Sequence, residues 1–164
     1  MASIKARRLL IVLGLLAAVV AVNLAILRYE RILDEGDIVL LPLAPVDPRS
    51  LMQGDYMRLR YAVEPDIEQL TGDEADANYA ILRVDDKRVG HLVRVQADAE
   101  PRASDEMAVR FQHRKGRIII ATDAFYFEEG RADHFQAARY GELRVINDGT
   151  ALLSGLRDAD HGAL

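Results

Sequence analysis

An uncharged, apolar run of 19 residues, Leu9 to Leu27, limits what this chain can fold into more than any other feature of its sequence. As an α-helix it would be about 28 Å long, close to the thickness of the hydrocarbon core of a bilayer. A helix on the surface of a soluble domain would carry a polar face. This run is apolar on every side, and its one strongly polar residue, Asn23, lies near its end. The run therefore predicts a single transmembrane helix over 9–27.

The charges on either side of the run predict its orientation, because basic residues are retained on the cytoplasmic side of a membrane. Lys5, Arg7 and Arg8 precede the run without any acid, whereas Arg28, Glu30 and Arg31 follow it. We therefore expect a short cytoplasmic N-terminus (1–8) and a C-terminal domain on the outer side. The protein would be single-pass, with the lipid bilayer as one partner through the anchor.

A cleaved signal peptide is the alternative interpretation of the same segment. The small residues Val19, Val20 and Ala21 follow the apolar stretch Leu9–Ala18 and would pass as a cleavage site. The apolar run continues to Leu27, however, which makes it longer than the core of a secretory signal. We expect a retained anchor and leave cleavage open as the alternative.

The chain beyond the anchor is acidic. From Asp34 onward it holds 16 basic and 25 acidic residues, a net charge of −9. This balance disfavours nucleic acid as a partner, and it disfavours a domain that lies flat on anionic lipid. The chain has no cysteine, so an exported domain would fold without disulfides.

The remaining residues predict a mainly β domain. Residues 28–36 continue the anchor helix and end it at Gly36. Seven or eight short strands follow over 37–157, and 158–164 are expected to form a flexible tail. Polar or glycine-containing turns indicate three hairpins: 78–84 with 89–96, 107–113 with 117–122, and 142–146 with 150–156. We expect an antiparallel β sandwich or barrel-like domain with one or two short helices, at 64–76 and 131–139.

The densest stretch of the chain is VDPRSLMQGDYMRLRY, residues 46–61. Its first half predicts a helical turn. Asp47 would cap the turn, Pro48 would take the first helical position, and Gly54 would close it in the left-handed conformation. These three residues therefore have a structural interpretation.

The second half predicts a strand that begins at Asp55. Alternation places one set of side chains towards a core and the other set outward: Met57, Leu59 and Tyr61 on one face, and Tyr56, Arg58 and Arg60 on the other. Every residue type in the stretch has an architectural explanation, and a ligand site is the competing hypothesis.

Residues 54–61, GDYMRLRY, resemble the signature of the GDYXXLXY family at Gly54, Asp55, Tyr56, Leu59 and Tyr61. Three further segments are similar to that family: the lead-in Pro45, Asp47 and Pro48; FYFEEG (125–130), with Glu128 where proline is more usual; and INDGTALLSGL (146–156). The resemblance covers most of 37–157. It implies a bacterial protein of the cytoplasmic (inner) membrane with one periplasmic domain. It implies no reaction, because the family is defined by its motif.

Catalytic chemistry finds little support in the residues. A Ser50–lysine pair would need a desolvated lysine, but Lys87 and Lys115 lie in or beside predicted exposed turns. Ser50 and Ser154 lack a nucleophile-elbow pattern, and the histidines are scattered: His91, His113, His134 and His161. We assign no catalytic residue.

Metal binding is no better supported. The Asp158–His161 segment offers three possible ligands but falls in the predicted tail, which would lack a second shell. The acidic loop 64–76 lacks the spacing and the turn glycine of a calcium loop. We expect no metal and no cofactor.

The segment FYFEEGRADHF, residues 125–135, combines aromatic and charged side chains in the way that partner surfaces do. If it lies beside Tyr56, the two segments would form one binding patch: Asp55, Tyr56, Arg58, Arg60, Tyr61, Tyr126, Phe127, Glu129 and His134. The leading hypothesis is a non-enzymatic accessory protein that docks on an integral membrane or envelope partner. The alternative is an envelope hydrolase or small-ligand binder with a pocket near Gly54–Tyr61.

Overall fold

The computed structural model of the protein describes residues 4–44, 56–72, 76–100, 102–114 and 116–164. Its helices are α1 (Ile4–Glu35), α2 (Glu64–Thr71) and α3 (Ala132–Phe135). Its strands are β1 (Asp37–Pro42), β2 (Tyr56–Arg58), β3 (Tyr79–Val84), β4 (Gly90–Gln96), β5 (Glu106–Arg114), β6 (Arg117–Ile120), β7 (Ala124–Tyr126), β8 (Tyr140–Val145) and β9 (Ala151–Arg157).

The apolar run lies within helix α1, and the β domain does not cover it. Over Arg7–Glu35 the helix is long and apolar enough to cross a membrane, and none of its apolar window is buried by the rest of the fold. The amide of Asn23 donates a hydrogen bond of 2.8 Å to the carbonyl oxygen of Val19, so its polar group is satisfied within the helix. Such a helix fits a single membrane span or a signal sequence.

The last turn of α1 is docked on the β domain. Helix α1 ends at Glu35, and the N–H of Gly36 donates to the carbonyl oxygen of Ile32 at 3.0 Å. A Cβ atom at Gly36 would collide with that same oxygen, so glycine is required at the predicted helix end. Ile32 is buried, and Arg144 donates to the carbonyl oxygen of Gly36 at 3.2 Å. The helix therefore continues into the domain as one packed unit.

The strands form three antiparallel sheets, in the orders β1-β8-β9, β4-β3-β5-β6 and β2-β7. A parallel bridge between Leu40 and Val89 joins the first two sheets at one edge. The mainly β fold class is thus confirmed, with an N-terminal apolar helix and short additional helices. The described strands do not close into a barrel.

All three predicted hairpins are present and antiparallel. They join β3 to β4, β5 to β6, and β8 to β9. In the last of these turns Gly149 has a φ of +80°, and a Cβ atom there would lie 2.7 Å from the ring of Tyr79. The turn Asn147–Gly149 therefore needs its glycine for both backbone conformation and space.

Among the described residues, two hydrophobic clusters hold the domain together. The main core draws on the first two sheets and α2, and includes Val39, Leu41, Tyr61, Ile67, Ala80, Leu82, Val109, Phe111, Ile118, Ile120 and Leu143. The second core is built from Met57, Leu59, Phe135 and Leu156. Leu43 and Leu153 pack against both clusters, so the two cores share a wall.

Helix α2 is more buried than its acidic sequence predicts. We expected a helical turn inside a solvated loop over 64–76. Instead Ile67 is fully buried and Glu64 is only 7% exposed, because one face of α2 packs on the main core. The remaining acids of the described part of this segment face solvent, as in an amphipathic helix.

The C-terminal residues 158–164 differ from the flexible tail that the sequence predicts. The chain turns at Asp158, whose N–H donates to the carbonyl oxygen of Gly162 at 3.0 Å. Leu164 then returns to β9, with its N–H bonded to the carbonyl oxygen of Leu156, and packs on the second core. The Asp158 carboxylate accepts a hydrogen bond from the N–H of Gly162 and so stabilises the turn. This contact and the packing of Leu164 hold the segment against β9.

Candidate functional site

The described part of the motif stretch alternates as predicted. Met57, Leu59 and Tyr61 are between 1% and 3% exposed, whereas Arg58 and Arg60 face solvent and Tyr56 is half-buried. The buried residues do not share one core: Met57 and Leu59 enter the second core, and Tyr61 enters the main core. The stretch therefore joins the two cores.

Strands β2 and β7 form a two-stranded ribbon that brings the two predicted halves of the patch together. Tyr56 pairs with Tyr126, Met57 with Phe125, and Arg58 with Ala124. Directly opposed residues of an antiparallel pair project from the same side. The outer side of the ribbon thus carries Tyr56, Arg58, Ala124 and Tyr126, which we call the tyrosine face.

The two tyrosines of this face stack on one another. Their ring centroids are 5.6 Å apart and their planes are inclined by 36°. Tyr126 is nevertheless 75% exposed, the most exposed large hydrophobic side chain of the β domain among the described residues. The half-buried ring of Tyr56 therefore holds the exposed ring of Tyr126 in a defined geometry.

The inner side of the ribbon is fully used by packing. Phe125 meets the ring of Phe135 edge-on at 5.1 Å, and Phe127 lies 5.0 Å from the same ring. Met57 completes this contact within the second core. Phe127, predicted as a binding residue, therefore supports the ribbon from beneath instead of forming part of its outer surface.

Tyr61 is also removed from the predicted surface. It is 1% exposed in the main core, and burial raises the pKa of its hydroxyl group. No hydrogen-bond partner for this hydroxyl occurs among the described residues. A Cβ atom on Gly141 would come within 2.9 Å of the tyrosine ring, so this glycine makes the room that the ring occupies. Tyr61 is a core residue.

Arg60 is engaged with a buried glutamate. Glu64, the first residue of α2, accepts a hydrogen bond of 2.8 Å from the backbone N–H of Tyr61. The Nε atom of Arg60 lies 3.8 Å from the same carboxylate. Burial raises the pKa of Glu64, while the Tyr61 N–H and Arg60 oppose this rise. Arg60 therefore interacts with the first residue of α2 in addition to facing solvent.

The other predicted patch residues lie beside or outside this surface. Glu129 and His134 are exposed in the segment after β7, and the His134 ring contacts Phe135 at 5.0 Å. Four predicted residues fall outside the described part of the chain: Asp47, Pro48, Gly54 and Asp55. Ser50 and Lys115, considered for catalysis, fall outside it as well.

The histidines are dispersed over the domain. His91 lies 3.1 Å from Asp85, His113 meets Phe111 edge-on, and His161 stacks on Tyr140 at 4.8 Å. Among the described residues, no group of three or more His, Cys, Asp or Glu side chains could hold a metal ion.

A polar network on β8 and β9 was not anticipated from the sequence. Glu142 is 7% exposed and accepts hydrogen bonds from Ser154 at 2.8 Å and from Arg157 at 2.6 Å. Burial alone would raise the pKa of Glu142, but these two donors lower it. The strand pattern alone gives no signal for this network, because only the register places the three side chains together.

Two clefts lined by described residues flank the end of α1, and Asp123 in the lining of the larger one accepts a hydrogen bond of 2.9 Å from the N–H of Leu59. One, of about 720 Å³, lies between α1 and the outer side of β5 and β6. The other, of about 500 Å³, lies between α1 and the turn from β8 to β9. Neither cleft is lined by a described residue of the motif stretch.

The family model described as "GDYXXLXY protein" matches residues 18–156. Neither the comparison with curated proteins nor the comparison with solved structures gives a match. The matched range includes the end of the apolar run, both halves of the ribbon and nearly all of β9. The chain belongs to the GDYXXLXY family.

Proposed function

We propose that this protein is a non-enzymatic accessory protein that docks on an integral membrane partner through its tyrosine face. In this proposal α1 is a retained anchor in the bacterial cytoplasmic membrane, with its N-terminus in the cytoplasm. The β domain then lies on the periplasmic side, beside the partner. The observation that carries the proposal is the exposed Tyr126 ring, held against the half-buried ring of Tyr56.

We interpret the Tyr56–Tyr126 pair as a binding feature because the packing of the second core does not use it. The inner side of the same ribbon already supplies the aromatic anchors of the second core. Tyrosine is enriched at interface centres, where it buries a large area at low entropic cost. Arg58, exposed on the same face, adds a charged group that could orient a partner.

The position of the face favours a partner in the membrane. Asp123, which lines the larger cleft beside α1, directly precedes β7. At about 3.3 Å per residue in a strand, Tyr126 is roughly 10 Å along the chain from that residue. A tether also confines the face near the bilayer and raises its effective concentration for a membrane protein.

Co-purification from native membranes tests the proposal. The full-length protein is extracted in mild detergent, and co-eluting proteins are identified by mass spectrometry. We expect a stoichiometric integral membrane protein with the wild type and its loss with Tyr126→Ala. His113→Ala, an exposed aromatic change on β5, is the matched control and should keep the partner. A monomer without any companion would contradict the proposal.

A further inference from the structure

The larger cleft beside α1 has two walls of different chemistry. On the helix side it is lined from Leu24 to Ile32, a distance of about 12 Å along the helix axis. Leu24 and Ala25 belong to the last turn of the apolar run, and Arg28 and Tyr29 are the first polar positions after it. In a retained anchor this wall would pass from acyl chains into the headgroup layer, where tyrosine and arginine are favoured.

The sheet side of the cleft is polar and basic. Arg110, Gln112 and Arg114 alternate along β5 and project from its outer side, while Phe111 between them faces the main core. Ile119, opposite Gln112 on β6, contributes an apolar contact to the same wall. Strand β5 therefore contributes two arginine side chains to the lining of the cleft.

These guanidinium groups are only partly neutralised by the protein. Among the described residues, neither Arg110 nor Arg114 forms a salt bridge, but the Asp148 carboxylate that pairs with Arg28 also interacts electrostatically with Arg110. Arg110 lies over the ring of Tyr79 at 5.9 Å. Arg28 is 3.8 Å from Asp148, in a pair whose side chains are both more than half exposed. Exposed pairs of this kind are weak, so Arg28 can turn to a stronger partner.

The two clefts differ in the balance of charged residues that line them. Its lining holds three arginines (Arg28, Arg110 and Arg114) and one carboxylate, Asp123. The smaller cleft holds two arginines and three carboxylates, and it does not reach the apolar run: Arg28, Arg31, Glu35, Asp37 and Asp148. Only the larger cleft combines basic groups with apolar residues of the span.

We propose that the larger cleft binds the headgroup phosphate of an anionic phospholipid from the leaflet beneath the domain. The arginines would bind the phosphate oxygens, since the guanidinium group matches their geometry. The acyl chains would follow Leu24 and Ala25 into the bilayer. This inference rests on the retained anchor of the proposed function. It also shows how an acidic domain can recognise anionic lipid through a local group of arginines.

The test uses the full-length protein in detergent micelles with equal amounts of dioleoyl phosphatidylglycerol and dioleoyl phosphatidylcholine, followed by native mass spectrometry. We expect preferential retention of phosphatidylglycerol by the wild type. The double variant Arg110→Gln/Arg114→Gln should lose about fivefold of this preference per arginine, the usual effect of one basic residue near an anionic surface.

The matched control is Arg31→Gln/Arg83→Gln, which removes the same number of charges from arginines outside the larger cleft: Arg31 pairs with Glu35, and Arg83 pairs with Asp105 and Glu106. It should keep the preference. Circular dichroism melts establish that both double variants fold. Equal retention of the two lipids by the wild type would overturn the assignment, and so would an equal loss in the control. Displacement of the lipid by inorganic phosphate at the same concentration would assign the site to a soluble anion instead.

Alkaline carbonate extraction of native membranes separates the two proposals. A protein released from the membrane by cleavage would contradict both the retained anchor and the lipid site. A protein that stays in the membrane with its partner but shows no preference for phosphatidylglycerol would contradict the lipid site alone.

Discussion

At the scale of single residues, Tyr61 shows that the end of the motif is architectural. Its ring occupies the main core, in the space that Gly141 leaves open. The sequence predicts its burial correctly through alternation. It cannot predict the glycine that faces it, because Gly141 is 80 positions away in the chain and is brought there by the pairing of strands.

The hydroxyl group of Tyr61 gives a test of this description. A buried hydroxyl without a partner costs about 1–3 kcal/mol. Tyr61→Phe removes that cost and should raise the free energy of unfolding by about 1 kcal/mol, measured by denaturant titration of the full-length protein in detergent. A loss of more than 1 kcal/mol would mean that the hydroxyl group has a partner. Tyr61→Ala should destabilise strongly, because it empties the site.

Two buried glutamates should respond to pH in opposite ways. Both have a reference pKa of 4.5, lowered for Glu142 and raised for Glu64. The lowered pKa means that Glu142 stabilises the fold above about pH 4.5, and that this contribution is lost as the pH falls through its folded pKa. The raised pKa means that Glu64 favours the fold when protonated, and that this contribution is lost as the pH rises through its folded pKa.

The corresponding glutamine variants should therefore differ at neutral pH. Glu142→Gln leaves Arg157 without its carboxylate and should cost about 1–3 kcal/mol. Glu64→Gln can still accept the hydrogen bond from the Tyr61 N–H, so it should be neutral or slightly stabilising. Thermal melts at pH 7 and pH 4 check both expectations, since both differences should shrink in acid. Equal losses of stability in the two variants at pH 7 would refute the assignment of opposite pKa shifts to the two glutamates.

At the scale of elements, the β2–β7 ribbon has one side that packs on the second core and one side that is exposed. The alternation within β2 can be read from the sequence, but its pairing with β7 cannot. Two strands of three residues carry too few contacts to specify a partner, and the pairing depends on the second core beneath them.

Substitutions on the two sides of the ribbon should separate stability from binding. Phe135→Ala removes the ring on which Phe125 and Phe127 pack, and should cost about 3–5 kcal/mol. Tyr126→Ala removes an exposed ring and its stacking on Tyr56, and should cost about 1 kcal/mol or less. Denaturant titration of the two variants compares them. A Tyr126→Ala variant as unstable as Phe135→Ala would show that the tyrosine face is part of the folding core.

The hairpins show where sequence prediction succeeds at this scale. Turn residues such as Asn147–Gly149 fix the connection locally, so neighbouring strands in sequence become neighbours in the sheet. The order β1-β8-β9 required β1 to pair with a strand about 100 residues later, which no local signal encodes. The prediction of a flexible tail over 158–164 is wrong for the same reason, because the contact of this segment with β9 exists only in the folded chain.

At the scale of the whole molecule, the apolar helix and the β domain are joined without a flexible linker in the described structure. Ile32 and Gly36 fasten the last turn of α1 to β8. In the proposed anchored protein, the orientation of the helix would therefore fix which surfaces of the domain approach the bilayer. The composition predicts an anchor and an acidic domain, but it cannot predict the local separation of charge between the two clefts.

The most direct test of the central proposal is site-specific photocrosslinking in living cells. Tyr126 is replaced by p-benzoylphenylalanine, and His113, exposed on β5, is replaced in the same way as a control. The proposal predicts one discrete crosslinked product from position 126 that contains an integral membrane protein, and no such product from position 113. The absence of a product from position 126, or identical products from both positions, would contradict the assignment of the tyrosine face as a docking surface.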